Sequence, residues 1–159
     1  MILIALGSNV SGPWGSPRQT VARALEALNR FPLHCLSASA PLITKPFGVT
    51  NQPDFVNAVA RIETALSPES LMRKLHQIER QAGRKRGRRW GPRTLDLDLL
   101  VYHDLAREHR GLVQKRLVLP HPGIADRAFV LVPLSEIVAR WKHPQHHQTP
   151  TQMLRALGH

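Results

Sequence analysis

Two acidic residues in a short apolar run are the clearest indication of chemistry in this sequence. Asp96 and Asp98 alternate with three leucines over the run Leu95–Leu99. Because side chains alternate between the two faces of a strand, both carboxylates are expected on one face and the leucines in a core. Two residues along a strand span roughly 6.5 Å. Carboxylates at that spacing repel each other, and a cation between them relieves the repulsion.

An oxygen-only pair of this kind favours a hard divalent cation. Mg²⁺ is commonly held by one or two carboxylates, with waters and substrate phosphates as its remaining ligands. The alternative from these residues alone is an ordinary strand whose two acids face solvent. The segment that precedes the strand favours the metal site.

That segment is a basic loop. Between Gly83 and Arg93 the sequence has six cationic residues and three glycines, so the backbone can close over a ligand. Arginine suits phosphate because its planar fork donates two parallel hydrogen bonds. Trp90 offers a ring that could stack on a base or anchor the closed loop. Metal on one side of a phosphate chain and arginines on the other is the arrangement that phosphoryl transfer needs.

A solvated basic loop or a nucleic-acid patch is the alternative explanation of these cations. The chain has 22 Lys and Arg against 11 Asp and Glu, and this formal net charge of +11 predicts an anionic partner. An RNA-binding module would use the charge and would lose affinity steeply with salt. Such modules stack bases on exposed aromatic residues, however, and aromatic residues make up only 5% of this chain. The adjacent acidic pair would also repel a nucleic-acid backbone.

Length and composition favour one soluble domain. A chain of 159 residues, 42% of them hydrophobic, fits a single domain over residues 1–159 with its own core. Cys35 is the only cysteine, which excludes an intrachain disulfide and fits a reducing cytoplasm. No apolar stretch approaches the ~20 residues of a membrane span, and the short apolar start lacks the length of a signal peptide.

The spacing of apolar and turn residues predicts the elements that position these groups. They are strands over 2–6, 36–43, 55–63 and 94–102, a helix begun by Ser16-Pro17, a helix from Ser67-Pro68 to Gly83, a helix over 128–138 and a short final helix. A turn-rich stretch is expected between 102 and 128. The order strand, helix, strand, strand, helix, strand predicts an α+β ferredoxin-like sandwich. Its sheet would be mostly antiparallel, with helices on one face and the other partly open for a site.

Four blocks of residues along the chain resemble a known enzyme family. They are Ala5–Asn9, Gln52–Ala58, Arg89–Asp98, and Leu119–Pro122 followed by Arg127–Phe129. The third block, Arg-Trp-Gly-Pro-Arg-Thr-Leu-Asp-Leu-Asp, is highly specific and resembles the signature of 6-hydroxymethyl-7,8-dihydropterin pyrophosphokinases. The resemblance covers nearly the whole chain. It implies transfer of the β,γ-pyrophosphate of ATP to the pterin hydroxymethyl group, with release of AMP.

The resemblance also implies roles for individual residues. Asp96 and Asp98 would bind two Mg²⁺ ions that bridge the ATP phosphates, and Arg84, Arg86 and Arg93 would complete the catalytic set. ATP would contact His76, Glu79, Arg84, Arg89, Trp90, Arg93, Leu99, Arg116, His121 and Arg127. The pterin would contact Thr44, Pro46, Phe47, Phe55, Asn57, Trp90 and Phe129. The expected partners are these two small molecules alone, without nucleic acid or membrane, and the protein would be a monomer.

The residues themselves agree with part of this assignment. Phe55 and Asn57 share the strand face opposite the core stripe, where a flat ring with polar edges could stack and be recognised. Ordinary core packing is the alternative for Phe55 and Phe129, and a satisfied polar residue at a sheet edge is the alternative for Asn57. The tail contains three histidines, His143, His146 and His147, and histidine is a common metal ligand. A solvated tail is nevertheless the preferred interpretation.

The expected mechanism is in-line attack by the pterin hydroxyl oxygen on the β-phosphorus of ATP. Metal and arginine stabilise the developing charge, and positioning of the two substrates supplies much of the rate. The sequence offers no evident general base. A family member that binds without catalysis is a further alternative, and the intact acidic pair argues against it.

Overall fold

A computed structural model describes residues 1–46, 48, 51–85, 92–105, 107–110 and 116–159. Its elements, in chain order, are β1 (Ile2–Ser8), α1 (Pro17–Ala27), β2 (Leu33–Ala38), β3 (Leu42–Thr44), β4 (Phe55–Thr64), α2 (Pro68–Gln81), β5 (Asp96–Tyr102), β6 (Arg107–Arg110), β7 (Arg116–Leu119), a 3-10 turn (Ile124–Asp126), α3 (Ala128–Ile137) and α4 (Pro150–Ala156). The predicted α+β class is confirmed.

The first five strands form one antiparallel sheet. The strand order is β2-β4-β1-β5, and β3 also pairs with β4. The central strand β1 therefore lies between β4 and β5, with Gly7 opposite Asn57 on one side and opposite Asp96 on the other. This register brings the acidic strand and the Phe55–Asn57 strand to the same part of the sheet.

Both long helices begin where the sequence predicts. Ser16 caps α1 in a capping box with Gln19, and Ser67 caps α2, each followed by a proline in the first turn. These caps satisfy amide groups that a helix start leaves without partners. Gly83 has a φ of 86°, a left-handed conformation that favours glycine and ends the second helix.

The two helices cover one face of the sheet through a shared apolar core. Along β4, every second residue enters that core: Val56, Ala58, Ala60 and Ile62. Along β5 the leucines at 95, 97 and 99 do the same, and α2 contributes its apolar stripe. The predicted core faces of both strands are confirmed.

The second face of the sheet is not as open as predicted. A separate core there joins Leu3, Val59 and Leu100 of the sheet to Leu131 of α3 and Met153 of α4. The prediction of helices on one face alone was wrong in this detail. The reason is that α3 is apolar almost all round, as its sequence AFVLVPLSEI shows. A helix of this kind is stable only when most of its surface is buried, and it packs on the sheet face that α1 and α2 leave free. Its placement leaves open the part of this face where the acidic residues lie.

Two local predictions also differ from the structure. The single strand expected over 36–43 is two strands, β2 and β3, which both pair with β4. The turn-rich stretch after residue 102 contains the antiparallel hairpin β6–β7. No helix in the part of the chain that the structure describes is long and apolar enough to cross a membrane.

The histidine tail is only partly the solvated segment that was predicted. His143 is buried, and its ring nitrogen Nδ1 accepts hydrogen bonds from the backbone N–H groups of Gln145 and His146. Burial and the nearby His146 and His147 lower the pKa of His143 to about 4. His143 thus organises a tight turn against Trp141, while the rings of His146 and His147 are exposed. Among the described residues no three ligands are placed to hold a metal ion.

Candidate active site

A cavity of about 360 Å³ opens on the sheet face that carries the acidic pair. Its volume is in the range of small-molecule sites. Its walls combine three kinds of group: acids and cations at one end, an aromatic and amide surface at the other, and small residues of β1 between them. The predicted residues among its lining are Thr44, Phe55, Asn57, His76, Glu79, Arg84, Arg93, Asp96, Asp98, His121, Arg127 and Phe129.

The acidic end of the cavity is built on β5. Asp96 and Asp98 both line the cavity, while Leu97 and Leu99 contribute their side chains to the core of the opposite face. Asp96 pairs across the sheet with Gly7, and Asp98 pairs with Ala5. Because these two partners are small, the space in front of the carboxylates stays open.

The two carboxylates have different surroundings. Asp96 is 28% exposed and accepts hydrogen bonds from Arg84 at 2.8 Å and from Arg93 at 3.2 Å. Asp98 is half-buried. Desolvation together with the charge of Asp96 raises its pKa to about 7, against the opposing charge of Arg127. The arginines Arg84 and Arg93 therefore pair with the outer acid, Asp96, whereas at the inner acid, Asp98, desolvation and repulsion outweigh the attraction of the nearby arginines.

Glu79 links α2 to the edge of the sheet. Its side chain is 5% exposed and pairs with Arg84, which also contacts Asp96. Its Oε2 atom accepts a hydrogen bond of 2.9 Å from the backbone N–H of Leu97. Burial raises the pKa of Glu79, while Arg84 opposes that rise. One buried carboxylate thus fixes both an arginine and the acidic strand.

The arginines of the cavity come from three places. Arg84 follows α2, Arg93 precedes β5, and Arg127 precedes α3. The guanidinium of Arg127 lies over the Phe129 ring at 5.9 Å from its centroid, and a Cβ added at Gly123 would lie only 2.7 Å from its Nε atom. Gly123 therefore leaves the room that the Arg127 side chain occupies.

His121 is held as a neutral ring of defined tautomer. Its Nδ1 atom accepts a hydrogen bond of 3.0 Å from the backbone N–H of Gly123. The proton of the neutral ring is therefore carried by Nε2, which makes that atom a donor. Burial and the neighbouring charge of Arg127 lower the pKa of His121 to about 4, although Asp96 opposes them.

The opposite end of the cavity combines rings and an amide. Phe55 lies there on β4, and Phe129 of α3 lines the cavity beneath Arg127, so these two rings do not serve only as core residues. Asn57 is 7% exposed, lies in the central part of the sheet instead of at its edge, and donates a 2.6 Å hydrogen bond to the Thr44 hydroxyl. Its amide is thereby held in a fixed orientation.

Several predicted site residues are not brought into this cavity. The side chain of Leu99 is buried in the opposite core, so only its backbone could meet a nucleotide. Pro46 follows β3 and does not line the cavity, and Arg116 starts β7. Phe47, Arg86, Arg89 and Trp90 lie outside the described residues.

Sequence reasoning also missed residues that line the cavity. They are Ala5, Leu6, Gly7, Lys45, Ala58, Met72, Leu97 and Val130. The small size of Ala5 and Gly7 within an apolar strand was the available signal, because a strand interior usually has larger side chains. Their position opposite Asp98 and Asp96 requires the strand register, which the sequence does not state.

The residues present fit a divalent metal site. Two carboxylates face one cavity, and the half-buried Asp98 lies beside the negative charge of Asp96. Their donor atoms are all oxygen, as Mg²⁺ prefers, and two carboxylates suffice when phosphate oxygens complete the coordination. The pair of carboxylates in one cavity is the observation that supports a bound cation here.

A family model described as 7,8-dihydro-6-hydroxymethylpterin-pyrophosphokinase (HPPK) matches residues 3–139. This match spans more than half of the chain and includes the whole cavity. The chain belongs to this family. Membership favours a small nucleotide over RNA as the anion that the basic residues meet.

Curated HPPK relatives resemble the chain over most of its length. An enzyme from Haemophilus influenzae named 2-amino-4-hydroxy-6-hydroxymethyldihydropteridine pyrophosphokinase is 44% identical over 137 residues, which is 86% of this chain and 80% of that protein. A protein of the same name from Pseudomonas aeruginosa is 41% identical over 150 residues, 94% of this chain and 87% of that protein.

Solved structures support the HPPK fold. The crystal structure of Plasmodium falciparum HPPK-DHPS wild type matches with a TM-score of 0.76 at 13% identity, over 98% of this chain. The match covers 43% of that chain, so this protein spans less than half of the larger one. At this identity the likeness shows the fold alone.

Proposed function

We propose that the cavity binds ATP and the pterin side by side, with the phosphates of ATP at the acidic end and the pterin ring at the aromatic end. As a member of the HPPK family, the protein transfers pyrophosphate from ATP to 6-hydroxymethyl-7,8-dihydropterin, a step of folate biosynthesis. The observation that carries the site assignment is the pair Asp96 and Asp98, which faces one cavity beside three arginines.

At the acidic end, Asp96 and Asp98 would hold two Mg²⁺ ions, and a bound ion supplies charge neutralisation and a template for the phosphates. Arg84 and Arg93 now donate to Asp96. A phosphate chain would offer these guanidinium groups alternative bidentate acceptors, which would leave the Asp96 carboxylate free to hold a metal ion. Arg127 and the Nε2–H of neutral His121 add donors without a change of protonation near pH 7.

The aromatic end suits the pterin. Phe55 and Phe129 offer ring faces, and Asn57 offers an amide that Thr44 holds in one orientation. A flat heterocycle with polar edges gains stacking from such rings and recognition from such an amide. Gly7 contributes by its lack of a side chain, because an added Cβ would lie 3.0 Å from the Asn57 Oδ1 atom.

The proposed reaction is attack of the pterin hydroxyl oxygen on the β-phosphorus of ATP. A new phosphorus–oxygen bond forms, the bond from the β-phosphorus to the bridging oxygen of AMP breaks, and the hydroxyl proton passes to solvent. The described residues include no evident general base for this proton. Positioning alone can supply ~7–11 kcal/mol of the barrier, and the arginines stabilise the charge that develops. Arg86, Arg89 and Trp90 remain proposed contributors from the basic loop.

Substitution of the inner acid tests the metal assignment. Asp98→Ala should lower the rate of AMP release in the presence of ATP, Mg²⁺ and the pterin by at least about a hundredfold. It should also remove the Mg²⁺ dependence of binding of a non-hydrolysable ATP analogue, measured by calorimetry. Asp104→Ala, at an exposed position just after β5, is the matched control and should behave as wild type. Wild-type turnover in Asp98→Ala would contradict the metal role.

The remaining proposals concern the whole protein. A monomeric state, a cytoplasmic location and a single domain over residues 1–159 stay predictions of the sequence. Sedimentation of the purified protein with and without ATP measures the first of them.

A further inference from the structure

Asn9 is a buried residue that joins two loops far apart in the sequence. It is 2% exposed and follows the last residue of β1. Its side-chain nitrogen Nδ2 donates to the Gln52 side-chain oxygen at 2.8 Å and to the Pro53 carbonyl at 3.0 Å. Its side-chain oxygen Oδ1 accepts from the backbone N–H of Arg93 at 2.8 Å. The backbone N–H of Asn9 also donates to the Arg93 carbonyl, at 3.1 Å.

The two loops enter opposite ends of the cavity. Gln52 and Pro53 lead directly into Phe55, the first residue of β4, at the aromatic end. Arg93 leads into β5, and its guanidinium donates to Asp96 at the acidic end. Asn9 therefore connects the wall proposed for the pterin to the wall proposed for the phosphates without lining the cavity itself.

An asparagine side chain is well matched to this position. It supplies two donors and an acceptor on one short, flat group, and all three functions are used here. Aspartate would keep the acceptor and lose both donors. Alanine would leave the N–H of Arg93 and the carbonyl of Pro53 without these partners and would break the link between the two segments.

We propose that Asn9 is a positioning residue that couples the binding of the two substrates. A ligand that holds one of these two segments in place also holds Asn9, and Asn9 then holds Arg93, or Gln52 and Pro53, of the other segment. The second substrate meets a segment whose position is already fixed, so it binds more tightly. Such coupling is reciprocal. The inference rests on the proposed assignment of the two ends of the cavity.

The test is pterin binding with and without nucleotide. Calorimetry measures the Kd of the pterin for the free protein and for protein saturated with Mg²⁺ and a non-hydrolysable ATP analogue. The wild-type ratio of these two Kd values is expected to be about fivefold or more, the usual lower bound for coupled sites. In Asn9→Ala the ratio should fall toward one, with a much smaller change in the affinity of the ATP analogue alone.

Two further variants control for a general loss of stability. Asn29→Ala removes another asparagine whose Oδ1 atom accepts a backbone N–H, that of Cys35 at 3.0 Å, and Asn29 does not line the cavity. It should keep the wild-type ratio. Gln52→Ala removes one bond on the pterin side and leaves the bonds of Asn9 to Arg93, so it should give an intermediate ratio even if Asn9→Ala does not fold.

The outcomes separate the inference from the proposed function. A wild-type ratio near one, or a wild-type ratio retained in Asn9→Ala or in Gln52→Ala, overturns the coupling while the substrate assignment stands. A wild-type protein that binds neither the ATP analogue nor the pterin contradicts the proposed function, and the coupling is then overturned with it.

Discussion

Among single residues, Asp98 has a charge that its surroundings do not balance. Asp96, two positions earlier, accepts hydrogen bonds from Arg84 and Arg93. Asp98 is half-buried beside it, and desolvation and the charge of Asp96 raise its pKa to about 7. The period of a strand predicted that the two acids share a face. It did not predict this difference, because the surroundings come from distant segments.

The unbalanced charge predicts a pH-dependent gain of stability in Asp98→Asn. In the unfolded chain Asp98 loses its proton near its ordinary pKa of 3.8, and in the folded protein near 7. Between these values the unfolded state binds fewer protons, so wild-type stability falls as pH rises. Asn does not titrate. The variant should therefore melt higher than wild type at pH 8 in EDTA, by about 2–4 °C for each kcal/mol of relief.

The same melting series provides the control. The difference between Asp98→Asn and wild type should shrink as pH falls and disappear near pH 4. Asp96→Asn removes an acceptor that two arginines share, so it should melt lower than wild type at pH 8. An Asp98→Asn variant that melts below wild type at pH 8 would show that nearby positive charge already compensates the charge of the Asp98 carboxylate in the metal-free protein.

At the scale of elements, the contact between α2 and the edge strand β5 positions the acidic pair. The sequence predicted both elements and the leucine face of the strand. It also marked Glu79 as an ATP contact by resemblance, whereas in the structure its carboxylate binds Arg84 and the backbone N–H of Leu97. Glu79 of the helix thus accepts the hydrogen bond of the Leu97 N–H, which lies between the two acids and eighteen positions away in sequence. Only the packing of the helix against the strand reveals this contact.

Glu79 variants should separate the backbone contact from the charge. Glu79→Ala removes the acceptor of the Leu97 N–H, and a buried donor without a partner costs about 1–3 kcal/mol. Glu79→Gln keeps an oxygen acceptor and should retain most of that stability, while it weakens the hold on Arg84. Urea denaturation measures the stabilities, and amide hydrogen exchange by NMR should show faster exchange at Leu97 in the Ala variant alone. Equal stability and equal exchange in both variants would contradict this role.

For the whole molecule, the second apolar core is the main departure from the predicted layer arrangement. It joins the sheet to α3 and α4, and α3 supplies Val130 and Phe129 to the cavity wall. Each of these helices was predicted separately. Their docking on the sheet face opposite α1 and α2 was not predicted, since the apolar pattern of a short helix does not state which surface it covers.

A core substitution should show that α4 contributes to stability. Met153 of α4 is 2% exposed in this second core. Met153→Ala should lower the free energy of unfolding by about 2–5 kcal/mol, as is usual for such truncations. Leu157→Ala, at a 39% exposed position just after the same helix, is the matched control and should cost much less. Chemical denaturation of both variants measures this. Equal effects would mean that α4 does not pack as described.

The sequence by itself determined local periodicity, helix caps, the acidic strand and the family. These depend on neighbours along the chain or on a specific motif, and both can be read from residues in order. Tertiary structure decided which strands pair, that α3 and α4 cover the second face, that Glu79 and Asn9 bond distant segments, and that Asp98 is the unbalanced acid. Those features depend on contacts between residues far apart in sequence, whose geometry is set only when the whole chain packs.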